Sequence, residues 1–242
     1  MIRVATTSHG TSSAGYDLSL EYYFPKGGVA SVGVFRKDIS DFWGVFADPP
    51  TAELLEQLGL DPSFAGADPP FTLETRLNVG DARITGAEFN YQQPLAQFGE
   101  WGKNLNVFAN ATKLDLEGPN QADFAKFIEE SASWGITWSP KPMVVSLKWN
   151  YRGRQRLNAQ SSAVYGGSSS VGFREYFAPR AFLDLNFEYQ FSRRFTAFLN
   201  GRNILDKEQT LQRYNDVSPA YSRNYNIESF GVQWALGIKG TF

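Results

Sequence analysis

Along residues 229–242 almost every second side chain is apolar and bulky. Phe230, Val232, Trp234, Leu236, Ile238 and Phe242 fall on one side of an extended chain, with Ser229, Gly231, Gln233, Ala235, Gly237, Lys239 and Thr241 on the other. A helix would scatter both sets around its circumference, whereas a strand separates them. A strand that is apolar along one whole face needs a partner surface for that face. This period of two is the strongest constraint on what the chain can become.

The same alternation recurs upstream. Leu183, Leu185, Phe187, Tyr189 and Phe191 oppose Asp184, Asn186, Glu188 and Gln190. Val145, Leu147, Trp149 and Tyr151 oppose Ser146, Lys148, Asn150 and Arg152, and Ala132, Trp134, Ile136 and Trp138 oppose Ser133, Gly135 and Thr137. Near the start, Tyr16, Leu18, Leu20, Tyr22 and Phe24 oppose Asp17, Ser19, Glu21 and Tyr23. Less regular segments at 29–38, 75–92, 103–116 and 195–206 bring the expected strands to nine.

A soluble sandwich also alternates, so three further features decide the class. Several segments reach ten residues or more, as a tilted bilayer-spanning strand requires, whereas globular strands cluster near five or six. Connections alternate between short (25–28, 94–102, 139–142, 192–194) and long (40–74, 117–123, 154–175, 207–226), the asymmetry of periplasmic turns and extracellular loops. Aromatics collect at segment ends, as in an interfacial girdle: Tyr22, Tyr23 and Phe24, then Trp138, then Tyr189 and Phe191. The expected fold class is therefore all-β, an antiparallel transmembrane β-barrel segment. One short helix is expected in the first long loop, with Thr51 as N-cap, Leu54, Leu55 and Leu58 as its apolar stripe, and Gly59 closing it.

Composition narrows function. Net charge is −2 with no basic block, so nucleic acid is not an expected partner. With no cysteine there is neither a disulfide framework nor a thiolate metal site. The single histidine, His9, stands in a Ser/Thr/Gly-rich stretch without a nucleophile or metal-ligand spacing around it, so no catalytic residue, metal site or cofactor is expected. The N-terminus carries no export signal. Nine strands beginning outside also break the even-strand rule of single-chain barrels. Both point to residues 1–242 as the C-terminal portion of a larger barrel.

Several motifs resemble one known family. The segments 16–24 and 31–39, the run Ile84-Thr85-Gly86-Ala87-Glu88-Phe89, the strand 104–112 and Asn200-Gly201-Arg202-Asn203-Ile204-Leu205-Asp206-Lys207 are similar, in order and spacing, to the second half of TonB-dependent receptor barrels. The terminal Phe242 resembles the signal read by the outer-membrane assembly machinery. The resemblance implies a barrel of about 22 strands around an N-terminal plug, with the plug and the first half of the barrel lying outside this chain. It further implies a cell outer membrane location with lipid around the wall, and coupling to the TonB complex through the N-terminal part. The implied function is uptake of a scarce large nutrient: a ferric siderophore, another metal chelate, a cobalamin-like compound or an oligosaccharide.

Candidate substrate contacts are loop aromatics, which stack on sugars or catecholates, and arginines, which pair with carboxylates. These are Trp43, Phe46, Tyr165, Arg174, Tyr176, Arg213, Tyr214 and Tyr221. For each, packing of the loops against one another is the alternative. Lys148, Arg152, Asp184 and Glu188 are expected to line the lumen. A self-contained small barrel acting as adhesin or passive pore stays open as a second reading, disfavoured by strand parity. A soluble β-protein is opposed by the exposed ridge of the last strand.

Overall fold

The computed structural model describes residues 2–4, 12–67, 73–118, 126–159, 174–215 and 217–241. All nine expected strands are present: β2 (Ser12–Tyr23), β3 (Val29–Asp48), β4 (Leu73–Pro94), β5 (Leu105–Glu117), β6 (Glu130–Trp138), β7 (Met143–Arg152), β10 (Arg180–Gln190), β11 (Phe195–Arg202) and β14 (Gln233–Gly240). They form one sheet in the order β14-β11-β10-β7-β6-β5-β4-β3-β2, and β1 (Ile2–Val4) pairs in parallel with β4. From β5 to β14 every neighbour is antiparallel. The sheet is open, ending at β2 and β14.

The chain divides into two compact units. The smaller comprises Met1–Tyr16, Phe35–Thr85 and Asp115–Phe124. Within it, Arg83 links Asp38 at 2.8 Å and Glu117 at 3.3 Å. The helix α1 (Ala52–Gln57) forms as its sequence dictates. Thr51 Oγ1 accepts the Leu54 N–H at 3.2 Å, Leu55 is the buried apolar residue, and Gly59 adopts φ +70° while Leu60 N–H bonds Leu55 O at 2.8 Å. That closing bond five residues back is the Schellman pattern, which favours glycine at the left-handed position.

The larger unit comprises Asp17–Val34, Gly86–Leu114 and Ala125–Phe242. Its register puts the apolar sets read from the sequence side by side. Ile136, Leu147 and Leu185 stand opposite one another on successive strands, and Trp134 and Trp149 stack with planes 1° apart. The other face carries a chain of hydrogen bonds across three strands to the turn after β11: Ser133 Oγ to Asn150 Oδ1 (3.0 Å), Asn150 Nδ2 to Asp184 Oδ2 (3.0 Å), and Asn203 N–H to Asp184 Oδ1 (3.0 Å). The tight turn between β2 and β3 rests on Gly27 and Gly28 with φ of +88° and +104°, and buried Gln93 donates Nε2 to Gly27 O at 2.9 Å. A Cβ at Gly28 would lie 2.5 Å from Gln93 Oε1, so the turn needs glycine there for space as well as for φ.

Burial decides where the apolar face goes. Among the described residues only Leu55, Ala82 and Leu183 are buried apolar side chains, while Leu18, Leu20, Leu236 and Ile238 are exposed by 73%, 76%, 80% and 67%. A soluble domain covers such a face with protein. Here the described neighbours in the sheet leave it open.

Several boundaries depart from the sequence reading. The last strand β14 begins at Gln233, so residues 229–232, read as strand, precede it with Gly231 at φ +68°, and β11 ends at Arg202 rather than at position 206. The strand β3 runs on to Asp48, so the first long connection begins later than position 40. The strand β2 begins at Ser12, four residues before the alternation that starts at Tyr16. The connections 154–175 and 207–226 are not wholly loop. They contain β8 (Gln155–Ala159), β9 (Arg174–Phe177), β12 (Gln209–Tyr214) and β13 (Asn224–Glu228), a second sheet in the order β13-β12-β9-β8. Each of these strands adjoins in sequence one of β7, β10, β11 and β14, across a break at Gly153-Arg154, Ala178-Pro179, residues 203–208 or residues 229–232. Pro179 lacks the N–H a continuous ladder needs, and Asn203, Asp206 and Gly231 take positive φ of 53°, 48° and 68°.

Candidate functional site

The second sheet gathers four of the expected contact residues, Arg174, Tyr176, Arg213 and Tyr214. Because β9 pairs with β12 through Phe177↔Leu211, Tyr176↔Gln212, Glu175↔Arg213 and Arg174↔Tyr214, alternate residues divide between its two faces. On one face Tyr176 and Tyr214 stack with centroids 4.8 Å apart and planes 24° apart. Arg154 lies over Tyr176 at 4.8 Å and donates Nη1 to the Tyr214 hydroxyl at 2.8 Å, while Arg223 lies over Tyr214 at 4.7 Å. Two guanidiniums thus flank a tyrosine pair, each drawn to the negative face of a ring. Burial opposes the Arg154 charge, but the Tyr214 hydroxyl, Tyr176 and Glu129 together raise its pKa above the ordinary guanidinium value.

Glu175 and Arg213 belong to the other face. Arg213 donates Nε to Glu175 Oε1 at 2.9 Å and reaches the same oxygen through Nη2. The side chains are 15% and 14% exposed, and the guanidinium carbon sits 3.7 Å from the centre of the Tyr225 ring. Next along, Arg152 donates Nη2 to Gln209 Oε1 at 3.0 Å and lies 5.2 Å over Phe177. Chemically this is a scaffold of alternating aromatic planes and guanidiniums, suited to stacking and to holding anionic groups.

Among the described residues, three of the expected contacts, Tyr221, Trp43 and Phe46, are not part of this sheet. Tyr221, in the turn Ala220–Ser222, is 90% exposed. Trp43 and Phe46 lie on β3, in a strand rather than the loop expected of them. Arg174 is placed by its backbone on β9, opposite Tyr214. Tyr165 and Phe242 lie outside the described residues. Of the expected lumen set, Asp184 is held by Asn150 and Asn203, and Glu188 pairs with Lys239 at 2.7 Å. The register sets Lys148 opposite Asp184.

The sequence reading missed Arg154, Glu175, Gln209, Arg223 and Tyr225. The β-prone runs 174–177 and 209–214 were a signal for the extra strands, but the runs are too short to outweigh the loop reading around them. Among the described residues no group of three or more His, Cys, Asp or Glu is arranged to hold a metal ion.

An antiparallel sheet with a registered bilayer face, a polar opposite face and strand extensions beyond it defines a segment of a transmembrane barrel. The model of the TonB dependent receptor-like, beta-barrel family matches residues 11–204, and the chain belongs to that family. No curated protein matches it in sequence. In fold it is similar to the ferric enterobactin receptor PfeA of Pseudomonas aeruginosa (TM-score 0.61, 15% identity, 96% of this chain and 31% of that one). It is also similar to the ferric citrate transporter FecA (TM-score 0.59, 14% identity, 94% and 31%). A third is the iron transporter FrpB of Neisseria meningitidis (TM-score 0.59, 10% identity, 99% and 32%). The chain thus spans about a third of the length of these proteins. The family consists of outer-membrane receptors and transporters.

Proposed function

We propose that this chain is the C-terminal part of the barrel of a TonB-dependent receptor that takes up a scarce large nutrient across the outer membrane. The observation that carries this reading is the family match over 11–204, laid on a sheet whose apolar face is exposed among the described residues. In this reading β2 to β14 supply wall, and Lys148, Arg152, Asp184 and Glu188 face the lumen. The rest of the receptor supplies the plug and the contact with the TonB complex, and Phe242 addresses the chain to the barrel assembly machinery. Substrate meets the external segments at Trp43, Phe46, Tyr165, Arg174, Tyr176, Arg213, Tyr214 and Tyr221. Of the candidate nutrients, a metal chelate is favoured by relatives described as receptors or transporters for ferric enterobactin, ferric citrate and copper.

The test is deletion of the encoding gene in the source bacterium, followed by growth on a panel of ferric and cupric chelates, cobalamin and oligosaccharides as limiting nutrients. Loss of growth on one compound is expected, reproduced by removing TonB. Unchanged growth on the whole panel overturns the reading. So does a protein that migrates near 27.1 kDa in the outer-membrane fraction rather than as part of a much longer chain.

A further inference from the structure

Arg152 ends β7 and Arg180 begins β10, and the register sets them directly opposite one another. Opposite residues of an antiparallel pair have Cβ atoms about 4.5–5.5 Å apart, and like charges there are destabilising. Among the described residues neither arginine has a carboxylate partner. Asp184, on the same face of β10, is occupied by Asn150 and Asn203, and Glu228, opposite Gln209 in register, accepts from Asn226 at 3.0 Å. The arginines are held instead by ring faces, Arg152 over Phe177 at 5.2 Å and Arg180 over Phe182 at 5.1 Å.

The hydrogen-bond count at this place is one-sided as well. Gln209 is 7% exposed and spends its oxygen on Arg152, which leaves its Nε2 buried without an acceptor. Arg152 Nε is buried in the same condition. Buried donors without acceptors forfeit the hydrogen bonds they made to water, and native structures keep few of them. A like-charge pair beside two orphan donors is a local conflict of the kind sequences retain at functional positions.

We infer that Arg152 and Arg180, with Gln209 behind them, form a binding subsite for an oxyanion, a carboxylate or phosphate group of a small molecule. Two guanidiniums side by side give such a group charge-assisted hydrogen bonds that a single arginine cannot. Bound charge offsets the repulsion of the pair, and the Phe177 and Phe182 rings hold the two planes in place. The inference deepens the uptake reading, by giving the substrate an anionic group. It rests on that reading for the role of the site but not for its existence.

The test uses the intact receptor, purified in detergent, with inorganic phosphate as probe at constant ionic strength. Phosphate is expected to raise the melting temperature of the barrel saturably. Arg152→Gln or Arg180→Gln should weaken the apparent phosphate affinity at least about tenfold, while Arg193→Gln, in the exposed turn before β11, leaves it unchanged. Without phosphate, Arg180→Gln should melt no lower than wild type, because it removes the repulsion, and this separates lost binding from lost folding. A wild type that does not respond to phosphate, or an equal response in all variants, overturns the subsite. If phosphate binding behaves as stated while gene deletion spares uptake, the transport reading fails and the subsite stands.

Discussion

Asp184 on β10 accepts the backbone N–H of Asn203 at 3.0 Å, and its other oxygen accepts Asn150 Nδ2 at the same distance. The carboxylate thereby fixes the residue at which β11 ends. Asn203 then turns the chain with φ +53°, takes Lys207 N–H on its Oδ1 at 2.9 Å and donates Nδ2 to Lys207 O at 3.1 Å. Asparagine tolerates that conformation because its short polar side chain bonds locally. The Asn-Ile-Leu-Asp run is thus one of the four joints between the two sheets, and Asp184 is its anchor. Replacing Asp184 with Ala strands two part-buried donors and should cost about 1–3 kcal/mol. Asp184→Asn should lose less, since one oxygen still accepts. Urea unfolding of the intact receptor in detergent checks this; a loss below about 0.5 kcal/mol, the range of featureless surface changes, removes Asp184 from the role.

Two glycines are spaces for aromatic rings, and they differ in what fills the space. A Cβ at Gly237 would stand 2.5 Å from the Phe198 ring, whereas at Gly135 it would meet the Leu147 carbonyl oxygen at 2.4 Å as well as the Phe108 ring at 2.7 Å. Gly237→Ala and Gly135→Ala should each destabilise by about 1–3 kcal/mol through overpacking. Trimming the ring should then relieve the first far more than the second, since a backbone oxygen cannot step aside. Double-mutant cycles with Phe198→Ala and Phe108→Ala measure that difference.

The two faces of β14 should respond oppositely to charge. Leu236, 80% exposed, pairs with Leu199, while Ala235 pairs with Asn200 on the other face. Leu236→Arg should cost about 2–4 kcal/mol in phospholipid vesicles if it faces mid-bilayer. Ala235→Arg should stay within about 0.5 kcal/mol, as for a solvated surface. Unfolding from vesicles reads both, and equal costs refute the face assignment.

In the second sheet, Tyr214 serves Arg154 through its hydroxyl and Tyr176 and Arg223 through its ring. Tyr214→Phe should lose only the hydroxyl contribution, about 0.5–1.5 kcal/mol. Tyr214→Ala should lose the stack as well, worth about 0.5–1.5 kcal/mol beyond area. Hydrogen exchange in β8, β9 and β12 follows the local loss; protection that is identical in wild type and Tyr214→Ala shows that the stack does not hold the sheet.

Features whose cause lies within a few residues were legible without coordinates. The α1 cap and stop are set by Thr51 and Gly59, which act on amides three residues or fewer away. The faces of β7, β10 and β14 follow from strict alternation, and the register then set those faces together without a slip. The candidate site was legible only in part, because its contacts join distant residues. Arg213 meets Glu175 across 38 positions, and Arg154 meets Tyr214 across 60. Nothing local distinguishes Arg213, which is ion-paired and largely buried, from Tyr221, which stands free of the cluster and exposed.

The sequence by itself therefore determined the class of protein, because alternation with one apolar face came together with long segments, short and long connections in turn, and aromatics at segment ends, a combination that suits a bilayer-spanning sheet better than a sandwich. Tertiary structure alone decided the second sheet and the pairing of Arg152 with Arg180. Strands of four to six residues are stabilised by neighbours far along the chain, and two like charges become a site only when register places them face to face.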